Sequence, residues 1–144
     1  MSRPGPASCD ARPHGRGPRR CDACRPDRRL PRWRRVNRSE VFGAALSGRR
    51  AFVGRTMVLR LYRGEGSAGR LGTIASRRTF RRAVDRNRAK RRIRETFRRQ
   101  REQLDERVDF IVIARRRILH ATADELADEF LHLARKAGCV KRIA

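Results

Sequence analysis

Thirty-nine lysines and arginines against fifteen acids leave a net charge of +24 on 144 residues, and that surplus limits what the chain can fold into. Charged and apolar residues each make up 38%, so a core can form only where apolar side chains are concentrated. They cluster after position 36, and a chain of this length holds one domain with a modest core. A domain with so much like charge repels itself unless a polyanion neutralises it, and nucleic acid is the obvious polyanion. Lysine is almost absent among the cations (Lys90, Lys136 and Lys141 only). Arginine's planar fork binds phosphate bidentately and stacks on bases, although a GC-rich genome would also favour arginine codons.

No run of about 18 apolar residues is present to span a membrane. The Arg-, Pro- and Gly-rich N-terminus lacks the apolar segment of a secretory signal, so the cytoplasm is the expected compartment. Residues 1–28, with Pro4, Pro6, Pro13, Pro18 and Pro26 among glycines and arginines, cannot bury enough apolar surface to offset chain entropy. They are read as a disordered basic arm ahead of an RNA-binding domain at 29–144. Cys21 and Cys24 have metal-ligand spacing, and Cys9 and His14 would complete a four-ligand zinc site. The segment lacks a second tight pair and an apolar shell, so reduced thiols are expected and no metal is assigned to the chain.

Order is expected from Leu30. Asn37 or Ser39 can cap a short helix carrying Val41, Phe42, Ala45 and Leu46 and ended by Gly48. Residues 51–53 and 56–62 read as one long strand or two short ones. Gly64, Gly66 and Gly69 mark a turn, and 71–76 reads as a strand, the hairpin partner of 56–62. Residues 82–104 have helical spacing. The apolar run 108–114 suits a strand buried on both faces. Thr122 and Glu125 form a capping box for a last helix with Leu126, Phe130, Leu133 and Ala137 on one face and Gly138 at its end. The order α-β-β-(β)-α-β-α predicts an α/β (α+β) sandwich, a small mixed sheet packed with about three helices.

The long helix carries the charge. At 100° per residue Ala89, Ile93, Thr96, Phe97 and Leu104 share the buried arc, and Asn87, Lys90, Arg94, Arg98 and Arg101 form a basic ridge beside it. Arg91 sits at the ridge's outer edge; Arg88, Arg92 and Arg99 are expected on the far side. Arg86 falls near the middle of the apolar arc, where a guanidinium without a partner is costly. Either the helix is only starting there, or a carbonyl or carboxylate holds Arg86. A merely solvated helix mixes charge signs to gain i,i+4 pairs; this one has only Asp85 and Glu95 among its cations, and phosphates would relieve the crowding.

The run from Arg86-Asn87-Arg88 through Lys90-Arg91, Ile93, Arg94-Glu95 and Phe97-Arg98 resembles the signature of the bacterial ribonuclease P protein component. Leu71–Arg78 is similar to that family's Gly-containing strand ending in Ser and two basic residues, Val108–Arg115 to its next strand, and Phe42 with Leu46 to the aromatic pair of its first helix. Leu46 stands where the family commonly has a second aromatic residue, Arg77 and Arg78 stand for lysines, and Ala89 and Arg92 for larger apolar residues. The resemblance spans residues 30 to 138. It implies a ribosomal-protein-S5-domain-2-like fold and partnership with a catalytic RNA that removes the 5′ leader of precursor tRNA, using Mg²⁺ held through the RNA. The implied RNA-binding residues are Arg86, Asn87, Arg88, Lys90, Arg91, Arg94, Arg98 and Arg101. The implied leader cleft is Phe42, Leu46, Ser76, Arg77 and Arg78. No obligate protein partner and no membrane is expected.

The residues offer no catalytic set of their own. His14, His120 and His132 are scattered, and Glu125, Asp128 and Glu129 read as a solvated helix face. The alternative is a structural rRNA-binding protein of ribosomal type. A DNA-binding regulator would need a helix-turn-helix or a dimerising heptad, which the chain lacks.

Overall fold

The computed structural model describes residues 30–141; the basic arm and the Cys9, His14, Cys21 and Cys24 set lie outside the described residues. The elements are α1 (Ser39–Ser47), β1 (Ala51–Val53), β2 (Met57–Tyr62), β3 (Leu71–Ile74), α2 (Ala83–Gln100), β4 (Asp109–Ala114) and α3 (Ala123–Lys136), with short 3-10 turns at Arg32–Arg34, Arg101–Gln103 and Arg116–Leu119. The sheet order is β1-β2-β4-β3. β1 and β2 form an antiparallel hairpin, β2 runs antiparallel to β4, and β3 runs parallel to β4.

Residues 71–76 are therefore not the hairpin partner of 56–62. The strand covers 71–74, and β4 stands between it and β2. Burial decides this: Phe110, Ile111 and Val112 are all fully buried, and a strand apolar on both faces needs neighbours on both edges. The 63–70 link crosses the start of β4 with Gly66 and Gly69 at φ +80° and +63°, left-handed conformations that glycine adopts without strain. Asp109, fully buried, accepts hydrogen bonds from the Ala68 and Arg70 backbone N–H groups and pairs with the Arg70 guanidinium at 2.7 Å. That hydrogen bonding holds Arg70's proton more tightly than usual, and the paired carboxylate fixes the crossing.

Strand alternation gives the sheet two apolar faces. Met57, Leu59, Phe110, Val112 and Ala114 pack with Ala89, Ile93 and Phe97 of α2 and Leu126, Phe130 and Leu133 of α3 in one core. Phe97, Phe110 and Phe130 meet with ring centroids 5.8–6.2 Å apart, the separation favoured by tilted and edge-on aromatic pairs. On the other face Ile111 packs with Val36, Val41 and Ala45, so α1 makes a third layer.

Two helix ends differ from expectation. Arg38, not Asn37 or Ser39, occupies the N-cap of α1, and no side chain caps it. Arg60 instead serves the other end, its Nη1 donating to the carbonyls of Ala45, Leu46 and Gly48, the acceptors a helix C-terminus leaves free. α2 ends at Gln100, so Arg101 lies in a 3-10 turn rather than on the helix. The capping box of α3 is present in full, and Gly138 closes that helix at φ +70°.

Candidate nucleic-acid interface

Ala89, Ile93, Thr96 and Phe97 are the buried residues of α2, and Leu104 is buried just beyond it. That fixes the ridge beside them: Lys90, Arg94, Arg98 and Arg101 are half-buried, while Asn87, Arg88 and Arg91 are exposed. Half-burial lays the aliphatic stems on the core edge and holds the charged heads at the surface. Glu95 is bound by Arg98 and, one turn on, Arg99, and these guanidiniums hold its carboxyl below the usual range, Arg98 first. Among the described residues Arg86, Arg88, Lys90, Arg91 and Arg94 make no ion pair. Arg94 has its affinity for a proton lowered by burial, then by the nearby charges of Arg35 and Arg91. From Arg86 to Arg94 the helix thus concentrates positive charge that no described side chain neutralises, and this charge extends toward β3, where Arg35 bridges to Leu71.

Two arginines of α2 do internal work. Arg86 lies in the first turn of α2, which begins at Ala83, and donates from Nη1 to the carbonyls of Phe80 and Arg81 at 3.0 and 2.9 Å, so the helix is starting there and carbonyls also hold the guanidinium. Arg92 does not project on the far side. Its guanidinium donates to the carbonyls of Ile118 and Ala121 and clamps α2 to the segment leading into α3; the helical wheel cannot show that this segment folds back over it.

The expected cleft lies on the α1 face. A Cβ on Gly72 would stand 2.8 Å from the Phe42 ring and 2.6 Å from Ile111 Cδ1, so the missing side chain is what lets the ring rest on β3. Next to it, register aligns Val53, Val58, Ile113 and Ile74 across all four strands on this face. Val53 is exposed and the other three are half-buried, leaving an open apolar floor. Leu46, one helical turn after Phe42, is exposed. Beyond Ile74, Ser76 Oγ accepts from the Thr79 N–H and shapes a turn that exposes Arg77 and Arg78. The ridge and the cleft are separate surfaces on either side of the sheet's β3 edge.

Sequence reading missed the rim of this floor. Arg115 donates to the Gly54 carbonyl and Arg116 to that of Thr79, so Arg115–Arg117 join Arg55 and the 76–80 turn at one end of the sheet. The arginine run directly after a buried strand was the available signal, because parallel strands deliver their following loops to the same edge. Glu129, expected on a solvated helix face with Glu125 and Asp128, instead accepts from the backbone N–H and hydroxyl of Thr56. It lines a groove of about 740 Å³ with His120, Glu125, Asp128 and His132. Among the described residues no group of three His, Cys, Asp or Glu side chains is placed to hold a metal ion, and no helix is long and apolar enough to cross a membrane.

A family model described as Ribonuclease P matches residues 30–138. The ribonuclease P protein component of Xanthomonas oryzae pv. oryzae is 33% identical over 119 residues, covering 83% of this chain and 81% of that protein. Its counterpart in Thioalkalivibrio sulfidiphilus is 37% identical over 89 residues, 62% and 73% of the two chains. Among solved structures, the Staphylococcus aureus RNase P protein superposes with a TM-score of 0.63 at 25% identity, covering 74% of this chain and 97% of that one. The RNase P protein of Thermotoga maritima shares the fold, with a TM-score of 0.62 at 22% identity over 71% and 96% of the two chains. The ribosomal-type alternative is not favoured by these matches. With the helix signature, the three-layer fold and these relatives in agreement, the chain belongs to the ribonuclease P protein family.

Proposed function

We propose that this chain is the RNA-holding subunit of ribonuclease P, with the α2 ridge docked on the catalytic RNA and the α1–sheet cleft holding the single-stranded 5′ leader of precursor tRNA. The observation that carries this is the unneutralised ridge: Lys90, Arg91 and Arg94 crowd one flank of α2 without an ion-pair partner among the described residues, an arrangement that phosphates stabilise. The division of labour follows from the chemistry of each surface. Phosphate contacts on the ridge fix position and register, and a floor of Phe42, Val58, Ile74 and Ile113 lets unpaired bases lie flat while Arg77 and Arg78 meet their phosphates.

In this reading the RNA cuts, with Mg²⁺ bound through the RNA supplying an activated water and a stabilised leaving oxygen. The protein acts by binding and orienting, in the cytoplasm and without an obligate protein partner. Reconstitution tests it: the purified chain added to the catalytic RNA should accelerate 5′ processing of precursor tRNA at low Mg²⁺. Replacing Phe42 with Ala should weaken binding of substrates with a leader more than binding of mature tRNA. No acceleration, or hydrolysis of precursor by the chain free of RNA, would overturn the reading.

A further inference from the structure

The Arg32–Arg34 turn that precedes α1 buries none of its residues, and it carries the only tryptophan of the chain. Trp33 is 63% exposed. An indole is the largest apolar surface a side chain offers, and leaving it in water forgoes the burial that normally places it in a core or an interface. Its surroundings are cationic. The Arg34 guanidinium lies 4.5 Å from the centre of the Trp33 ring, and the Nε and Nη1 of Arg34 are covered without a hydrogen-bond partner among the described residues. That guanidinium is thus held by stacking, leaving the indole's remaining surface open.

The turn also adjoins the ridge. Arg35, next in sequence, bridges to Leu71 at the outer edge of β3 and donates to the Leu30 carbonyl, and its charge is felt by Arg94 of α2. An open aromatic surface already stacked with an arginine, on a turn that leads into Arg35 at the β3 edge near the charge of Arg94, is a combination that suits a nucleotide: a base continues the stack and the flanking phosphates offset the cations.

We infer that Trp33 is a base-stacking anchor, its open surface taking one unpaired base of the catalytic RNA while Arg35 and Arg94 bind the adjoining phosphates. This rests on the proposal that the ridge faces that RNA. It adds a contact to the base where the ridge alone offers only contacts to the backbone.

Because Trp33 is the sole tryptophan, the emission of the full-length protein reports on this site directly. Titration with the catalytic RNA should quench that emission along the same isotherm as an independent binding measurement. Trp33→Ala should weaken binding about 5- to 150-fold, as expected for the loss of one stacked base, and Trp33→Phe should restore most of the loss. The slope of affinity against salt should be unchanged in Trp33→Ala, which removes no charge, whereas Arg94→Gln should reduce it. Binding that leaves the emission and the Trp33→Ala affinity unaltered would overturn the anchor and leave the ridge proposal standing; absence of any binding would overturn both. An indole already shielded from acrylamide in the free protein would show that another part of the chain covers Trp33, and would also overturn the inference.

Discussion

Helices α2 and α3 share one face of the sheet, and Phe97 of the first meets Phe130 of the second edge-on at 6.2 Å. Away from that seam they are built differently. In α3 the Thr122 side chain accepts from the Glu125 N–H, and the Glu125 carboxylate accepts from the Thr122 N–H at 2.8 Å. Asp124 and Glu125 occupy its first turn and Arg135 and Lys136 its last, the order that the helix dipole favours. In α2 the charge order is the same, with Asp85 in the first turn and Arg98 and Arg99 in the last, but no side chain caps the N-terminus, and Arg81 and Arg82 stand just ahead of its positive end. Two neighbouring helices on a common core show that the chain can encode a self-sufficient helix. The missing cap and the leading arginines of α2 fall on the helix that carries the proposed RNA ridge, and sites of function are where local rules are expected to be broken.

The largest effect should come from the seam itself. Phe97→Ala should cost about 3–5 kcal/mol of unfolding free energy, because the ring packs against both Phe110 and Phe130. Denaturant unfolding measures it, and a loss under about 1 kcal/mol would mean that the helices do not share a tight core. Next, Arg94→Gln should lower affinity for the catalytic RNA by about 2 kcal/mol, on the order of thirtyfold, with the circular dichroism unchanged. Thr122→Ala should cost about 1 kcal/mol of stability through loss of the cap and leave RNA affinity alone, the reverse of the Arg94 pattern. Arg98→Gln should lower RNA affinity less than Arg94→Gln, because Glu95 already engages that guanidinium. Equal losses from Arg94 and Arg98 would show that the internal ion pair does not distinguish the two positions.

The elements could be read from sequence where one pattern controlled them. Thr122 with Glu125 gave the start of α3, and the spacing of Ala89, Ile93 and Phe97 gave the buried side of α2. The identity of the ridge followed from the same wheel. What could not be read depended on partners distant in sequence. The pairing of β3 required knowing that β4 would take the centre, and the anchoring of the 63–70 crossing by Asp109 appears in no local pattern. Arg92 and Glu129 looked like solvated residues because their acceptors and donors, at Ile118, Ala121 and Thr56, are brought to them only by the fold. The basic rim of the cleft was signalled only by the arginine run after the buried strand; that Arg55 joins it follows from the pairing of β2 with β4.

The central claim is that the free charge of α2 binds RNA phosphates, and the salt dependence of binding measures that most directly. If about six to ten phosphates are neutralised, affinity for the catalytic RNA should fall about 10³- to 10⁵-fold between about 50 and 200 mM salt. A variant with Lys90, Arg91 and Arg94 all changed to Gln should show a log–log slope shallower by about two to three. The same slope in the variant and the native chain would contradict the account.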